Sequence, residues 1–155
     1  MGTIDDSASA KQVVFDPYRF TRADLRAAGD AIVAGIGVLG PLSDQTALEI
    51  IATPHTPQTQ LVSTLVRGWS VDAYHVRETA GLYIGATVAS IIDEARHASA
   101  EGVAEPAAID LALTLGVRYP YGPFAWLDRI GAARIAAVLN TLGAGDFARS
   151  AHTPT

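Results

Sequence analysis

Apolar and polar residues change rhythm several times between residues 12 and 77, then settle into a helical period from residue 78 onward. The run VVFD (13–16) is rich in β-branched residues and predicts a strand. Residues 21–34, TRADLRAAGDAIVA, predict a helix: Thr21 can cap it, Asp24 sits three places on, and Leu25, Ile32 and Val33 fall near one face. ALEIIAT (47–53) predicts a second strand, stopped by Pro54. Residues 56–69 predict a helix with Thr56 as cap, Pro57 in the first turn, and Leu61, Val62 and Leu65 at helical spacing. SVDAYHV (70–76) alternates and predicts a third strand. The order strand, helix, strand, helix, strand is that of a small α/β layer.

Beyond Glu78 no strand signal follows. Residues 79–102 predict one long helix with Gly102 as its stop. Residues 104–116 predict a second, with Pro106 in its first turn and Gly116 at its end. YPYGPFAWLDRIG (119–131) predicts a tight turn entering a helix, and residues 132–143 a last helix ending at Gly143. The expectation is an α+β chain: a shortened α/β unit over 12–77, an all-α unit over 78–147, and tails at 1–11 and 148–155. No internal repeat is visible.

Composition narrows the function classes. Hydrophobic residues make up 49% of 155, enough for a packed core. The net charge is −5, and the eleven Lys and Arg are scattered singly, which gives no footprint for nucleic acid. The absence of cysteine excludes disulfides, thiolate metal sites and a cysteine nucleophile. The acidic start, MGTIDDSASAKQ, is unlike a signal or transit peptide, and the longest apolar run, 80–92, falls short of the roughly 20 residues of a membrane span. A cytoplasmic location away from membranes is the expectation.

One stretch suggests a cofactor. AGIGVLGP (34–41) contains the G-x-G-x-x-G of a dinucleotide loop at Gly35, Gly37 and Gly40. Such a fingerprint must follow a strand and open a helix. Here the run follows the expected helix 21–34 and leads into a strand, the inverse context. No pair among His55, His75, His97 and His152 has the i, i+4 spacing of a metal site, and no metal is expected. His75 and His97 read as partly buried or surface imidazoles, and the adjacent Asp93 and Glu94 point to different faces of a helix. Glu94 and Asp110 read as capping or bridging residues. Tyr119, Tyr121, Phe124 and Trp126 cluster around Pro120 and Pro123, as a packed corner, an acyl-facing wall or a dimer seam.

Residues 101–131 resemble the C-terminal helical domain of 3-hydroxyacyl-CoA dehydrogenases. The matching pattern is Glu101-Gly102-x-Ala104, Ile109-Asp110-x-Ala112, Leu115-Gly116, Tyr119-Pro120-x-Gly122-Pro123 and Asp128-x-x-Gly131. VRYPYGPFAWLDRIG is similar to the second, repeated module of the phenylacetate-degradation type of that family. Upstream, Thr79, Gly81, Glu94 and Ala95 fit the family's D-T-P-G-F-I-V-N-R stretch and its following N-E-A. Placed without gaps from Glu49, residues 36–51 lie on the family's L-H-F-F-N-P segment and the V-E-V-I beyond it. Pro41 and Glu49 are kept.

The resemblance implies a Rossmann remnant followed by a helical domain of the 6-phosphogluconate-dehydrogenase C-terminal type. It also implies losses. The family's catalytic His falls on Gly37, the Asn of the same segment on Gly40, the Asn that polarises the substrate carbonyl on Gly85, and the Arg after it on Ala86. Glycine has no side chain to take a proton or to donate to an oxyanion. A doubly wound NAD domain wants on the order of 150 residues, more than precede residue 78. The chain is expected to hold no cofactor by itself, with NAD supplied only by a partner domain. The expected role is a stand-alone module, inactive alone, that forms a homodimer or docks on an NAD-binding subunit and holds an acyl-CoA. Gly81, Tyr119, Pro120, Gly122, Pro123, Phe124 and Trp126 would line the cleft or the dimer seam, and Glu49 would be a vestigial catalytic residue. Two other readings stand beside it: altered chemistry on a thioester using Glu49 or His75, and a pure oligomerisation scaffold.

Overall fold

The computed structural model describes residues 12–18, 31–41, 46–52 and 57–143. Among the described residues, four strands form one sheet: β1 (Gln12–Phe15), β2 (Ala31–Gly37), β3 (Ala47–Ala52) and β4 (Asp72–His75), in the order β1-β2-β3-β4. β1 runs parallel to β2, β2 antiparallel to β3, and β3 parallel to β4. Helix α1 (Pro57–Arg67) makes the crossover between β3 and β4, which a parallel pair requires. Four helices follow: α2 (Tyr83–Ala100), α3 (Pro106–Gly116), α4 (Pro123–Ile130) and α5 (Ala132–Thr141). The α+β class holds.

One element corrects the sequence reading. Residues 31–34, expected at the end of a helix, begin the strand Ala31–Gly37, while residues 21–30 lie outside the described residues. A strand flanked on both sides and covered on both faces carries a continuous apolar run with no alternation, and such a run is indistinguishable by period from a buried helix segment. AIVAGIG is that kind of run. Gly35 and Gly37 therefore lie inside a strand, and the chain passes on to the antiparallel β3. That is not the strand-to-helix turn of a dinucleotide loop.

Strand β3 divides the core. Leu48 and Ile50 face α1, packing with Ala34, Val62 and Val66. Ile51 faces the other way, into a cluster with Tyr18, Leu39, Leu82, Ala89, Ile92, Ile135, Val138 and Leu139. Sheet and helical half thus meet in this second cluster, and Glu49, on the same face of β3 as Ile51 by the two-residue period, points into that seam.

The turn into α2 is tight. Gly81 has φ +65° and Leu82 φ +50°. Only glycine takes the first without strain, and a Cβ there would also crowd Val138 Cγ1 at 3.1 Å. The turn buries Leu82 and points the start of α2 at the sheet.

Candidate functional site

Leu82 at the N-cap of α2 offers no polar side chain, so the helix needs acceptors from elsewhere. Glu49 supplies them from β3. Its Oε1 accepts the Tyr83 N–H at 2.8 Å, and its Oε2 accepts the Ile84 N–H at 3.0 Å and the Tyr18 hydroxyl at 3.1 Å. The carboxylate is 1% exposed. A negative group at a helix N-terminus also meets the positive end of the helix dipole.

The same device recurs lower in the helical half. Asp110 on α3 accepts the N–H groups of Phe124 and Ala125, at 2.8 and 3.0 Å, and so caps α4, where Gly122 has no side chain to offer. Gly122 is packed against it: a Cβ there would lie 2.4 Å from the Asp110 Cα. This explains the I-D-x-A and Y-P-x-G-P motifs together, because the Asp needs the Gly beside it. Glu94 and Asp128 are both exposed.

Around Glu49, two glycines face one tyrosine. Gly37 pairs directly with Glu49 across β2 and β3. A Cβ on Gly37 would stand 2.9 Å from the Tyr18 hydroxyl, and one on Gly85 would stand 2.3 Å from Tyr18 Cε1. Burial raises the Tyr18 hydroxyl pKa well above its ordinary value, and the adjacent Glu49 carboxylate raises it further. Nothing in the sequence around Tyr18 marks it as a site residue. The signal was indirect: a buried carboxylate needs donors, but nothing local marks which distant hydroxyl supplies one.

The aromatic corner is assembled as the sequence suggested, though not with every expected neighbour. The rings of Tyr119 and Trp126 lie 5.3 Å apart, tilted by 38°. Pro120, Tyr121 and Trp126 join Leu39, Pro41, Ile84, Val88 and Ile130 around a cavity of ≈ 170 Å³, with Arg129 stacked 4.3 Å from the Tyr121 ring. Gly122 and Pro123 are buried in the turn behind it, and Phe124 is half-buried. Gly81 is elsewhere, on a separate cavity of ≈ 310 Å³ with Pro17, Ile51 and Thr141.

His75 and His97 are exposed, and His55 and His152 lie outside the described residues. No cluster of metal-ligating side chains occurs among the described residues, nor is any helix among them long and apolar enough to cross a membrane.

Residues 81–155 match the family profile of the 3-hydroxyacyl-CoA dehydrogenase C-terminal domain. The chain is 50% identical over 62 residues to a 3-hydroxyadipyl-CoA dehydrogenase of Escherichia coli K12, covering 40% of this chain and 13% of that one. It is 30% identical over 103 residues to a probable 3-hydroxybutyryl-CoA dehydrogenase of Bacillus subtilis, covering 66% of this chain and 32% of that one. The crystal structure of an Escherichia coli 3-hydroxybutyryl-CoA dehydrogenase superposes with a TM-score of 0.70 at 27% identity, over 86% of this chain and 27% of that one. The chain belongs to the 3-hydroxyacyl-CoA dehydrogenase family. It spans less than a third of the length of the two dehydrogenases it matches in sequence here, and what it covers is the dehydrogenase's C-terminal domain with the sheet segment before it. Gly37 and Gly85, on which the sequence resemblance places the family's base and carbonyl-polarising Asn, both lie against Tyr18.

Proposed function

We propose that this chain is a non-catalytic module of the 3-hydroxyacyl-CoA dehydrogenase family that self-associates and binds an acyl-CoA without oxidising or reducing it. The observation that carries the reading is the pair Gly37 and Gly85. Where the family places a base and a carbonyl-polarising amide, this chain has no side chain, and the space is filled by Tyr18. A hydroxyl held as donor to Glu49, with a pKa raised by burial, takes no proton from an alcohol near neutrality. Glu49 itself is committed to two backbone amides and that hydroxyl, which argues against its use as a base.

Acyl binding is supported by the cavity of ≈ 170 Å³ beneath the aromatic corner. Its apolar walls suit a short hydrocarbon chain, and the Arg129 guanidinium brings positive charge to the site. Self-association is supported by α3. None of its residues is fully buried, and Leu111 and Leu115, one turn apart, are 59% and 72% exposed. Val103 and Val117, beyond either end of the helix, are exposed as well, and exposed apolar surface of this kind marks an interaction site. The partner in this reading is a second copy of the chain.

The test is equilibrium titration of the purified chain with acetoacetyl-CoA, followed by NADH in the same sample. Saturable binding with no NADH loss is the expected result. Absence of binding with self-association intact would instead support a pure oligomerisation scaffold, the reading that the α3 patch alone favours.

A further inference from the structure

Tyr18 is held from several sides. Its ring lies against Gly85 in the first turn of α2, its hydroxyl lies beside Gly37 on β2, and that hydroxyl donates to Glu49 on β3. Leu82 closes the same space, standing 3.0 Å from where a Gly37 Cβ would be. The Arg134 guanidinium of α5 stands over the ring, 5.5 Å from its centroid. Arg134 is itself anchored by Asp16, at 2.8 Å, and by the Val38 carbonyl. Asp16 in turn accepts the Tyr18 backbone N–H at 3.0 Å. The residue is 1% exposed.

The shape of this space is specific. Both glycines are required by the ring, since a Cβ at either would approach it closer than packed atoms tolerate. Gly85 is the more telling, because glycine is a poor helix former and alanine would ordinarily improve the first turn of α2. Among the described residues, the hydrogen-bond partner of the hydroxyl at the ring's far end is an acceptor, the Glu49 carboxylate. Flat walls and one buried acceptor define a site for an aromatic ring carrying one hydroxyl donor.

We propose that Gly37, Leu82, Gly85 and Glu49 form a binding pocket for a phenolic ring, which the chain keeps filled with its own Tyr18 side chain. The tyrosine is a tethered ligand, fastened by the Asp16–Arg134 pair, and while it is in place no solute reaches Glu49. Cutting the tether opens a preformed site for a free phenol. The proposal goes beyond the dehydrogenase reading and stands on the packing of the ring and its hydrogen bond to Glu49.

The experiment is thermal unfolding of the whole chain as Y18G, with and without p-cresol, and with toluene as the ring lacking the hydroxyl. Y18G is expected to melt several degrees below the natural chain. p-Cresol should raise its Tm saturably, toluene should raise it less, and neither should move the natural chain. Equal shifts by p-cresol in both proteins would overturn the proposal. G85A provides a second reading, whose arm in the natural chain does not require Y18G to fold. It should lower Tm in the natural chain despite the better helix former, and raise it or leave it unchanged beside Y18G. A G85A that raises Tm with Tyr18 present would also overturn the proposal. Turnover of an acyl-CoA would contradict the proposed function and leave these melting results untouched.

Discussion

Gly37 lies directly opposite Glu49 in the β2–β3 pair, so a side chain at position 37 would project beside the carboxylate on the face that meets the helices. With glycine there, Glu49 turns all of its described hydrogen bonding to the start of α2 and to Tyr18. Glu49 therefore has a structural task of its own, holding the start of α2 and the Tyr18 hydroxyl. In E49Q one oxygen is replaced by an NH₂ that faces donors. The substitution is expected to cost about 1–3 kcal/mol, the range for losing a charge-assisted hydrogen bond and leaving buried donors unpaired, measured by urea unfolding. Unchanged stability would remove the cap from the account.

The Tyr18 hydroxyl gives a pH signature. Its pKa is raised in the folded chain by burial and by Glu49, whereas an unfolded tyrosine titrates near its ordinary value of roughly 10. The stability tied to the neutral hydroxyl is thus complete below about pH 10 and is lost as the pH climbs beyond it. Y18F lacks this linkage. Unfolding free energies of the two proteins should run parallel below about pH 10 and converge above it, with Y18F lower by about 1–2 kcal/mol in the parallel region.

Asp110 and Gly122 should behave as a unit. D110A removes the acceptor for two amides of α4 and is expected to cost about 0.5–2 kcal/mol, as for other helix caps. G122A forces a Cβ onto the backbone of α3, and no side-chain rotation relieves that contact. It should cost more than D110A, about 1–3 kcal/mol or above. A G122A that unfolds like the natural chain would contradict the packing described.

The exposed face of α3 makes a prediction about association. L111S/L115S removes the two largest exposed apolar side chains of that helix and should shift the chain toward monomer in sedimentation equilibrium. The stability of the monomer should change by less than about 0.5 kcal/mol, as for surface positions that hold nothing in place. An unchanged oligomeric state would move the interface elsewhere.

Much of the fold was legible in the sequence for physical reasons that vary by element. Two of the helices of the second half, α3 and α4, carry Pro at their starts, and Gly marks the helix ends, so that Pro106, Pro123, Gly131 and Gly143 stand within a residue or two of the observed boundaries. Strand β3 was readable because Pro54 follows it. Strand β2 was not, because a covered central strand loses the alternation that distinguishes strands from helices. Of the site, Asp110 was legible as a capping residue, and the aromatic corner as a cluster. Tyr18 was not legible. Its role depends on Glu49 and Gly85, 31 and 67 positions away in the chain, and no periodic signal spans that separation. Gly37 and Gly85 were legible only as losses relative to a family pattern. The structure adds that the same tyrosine needs both of them to be small.

The most direct test of the central claim is a single titration. The purified chain is brought to saturation with acetoacetyl-CoA, binding is measured by calorimetry, and NADH is then added while its absorbance is followed. Binding with no NADH consumption above the protein-free background is the expected result. NADH oxidation proportional to the amount of chain, abolished by heat denaturation, would contradict the account, because a site with Gly37, Gly85 and a buried Tyr18 would then be carrying out the family's chemistry.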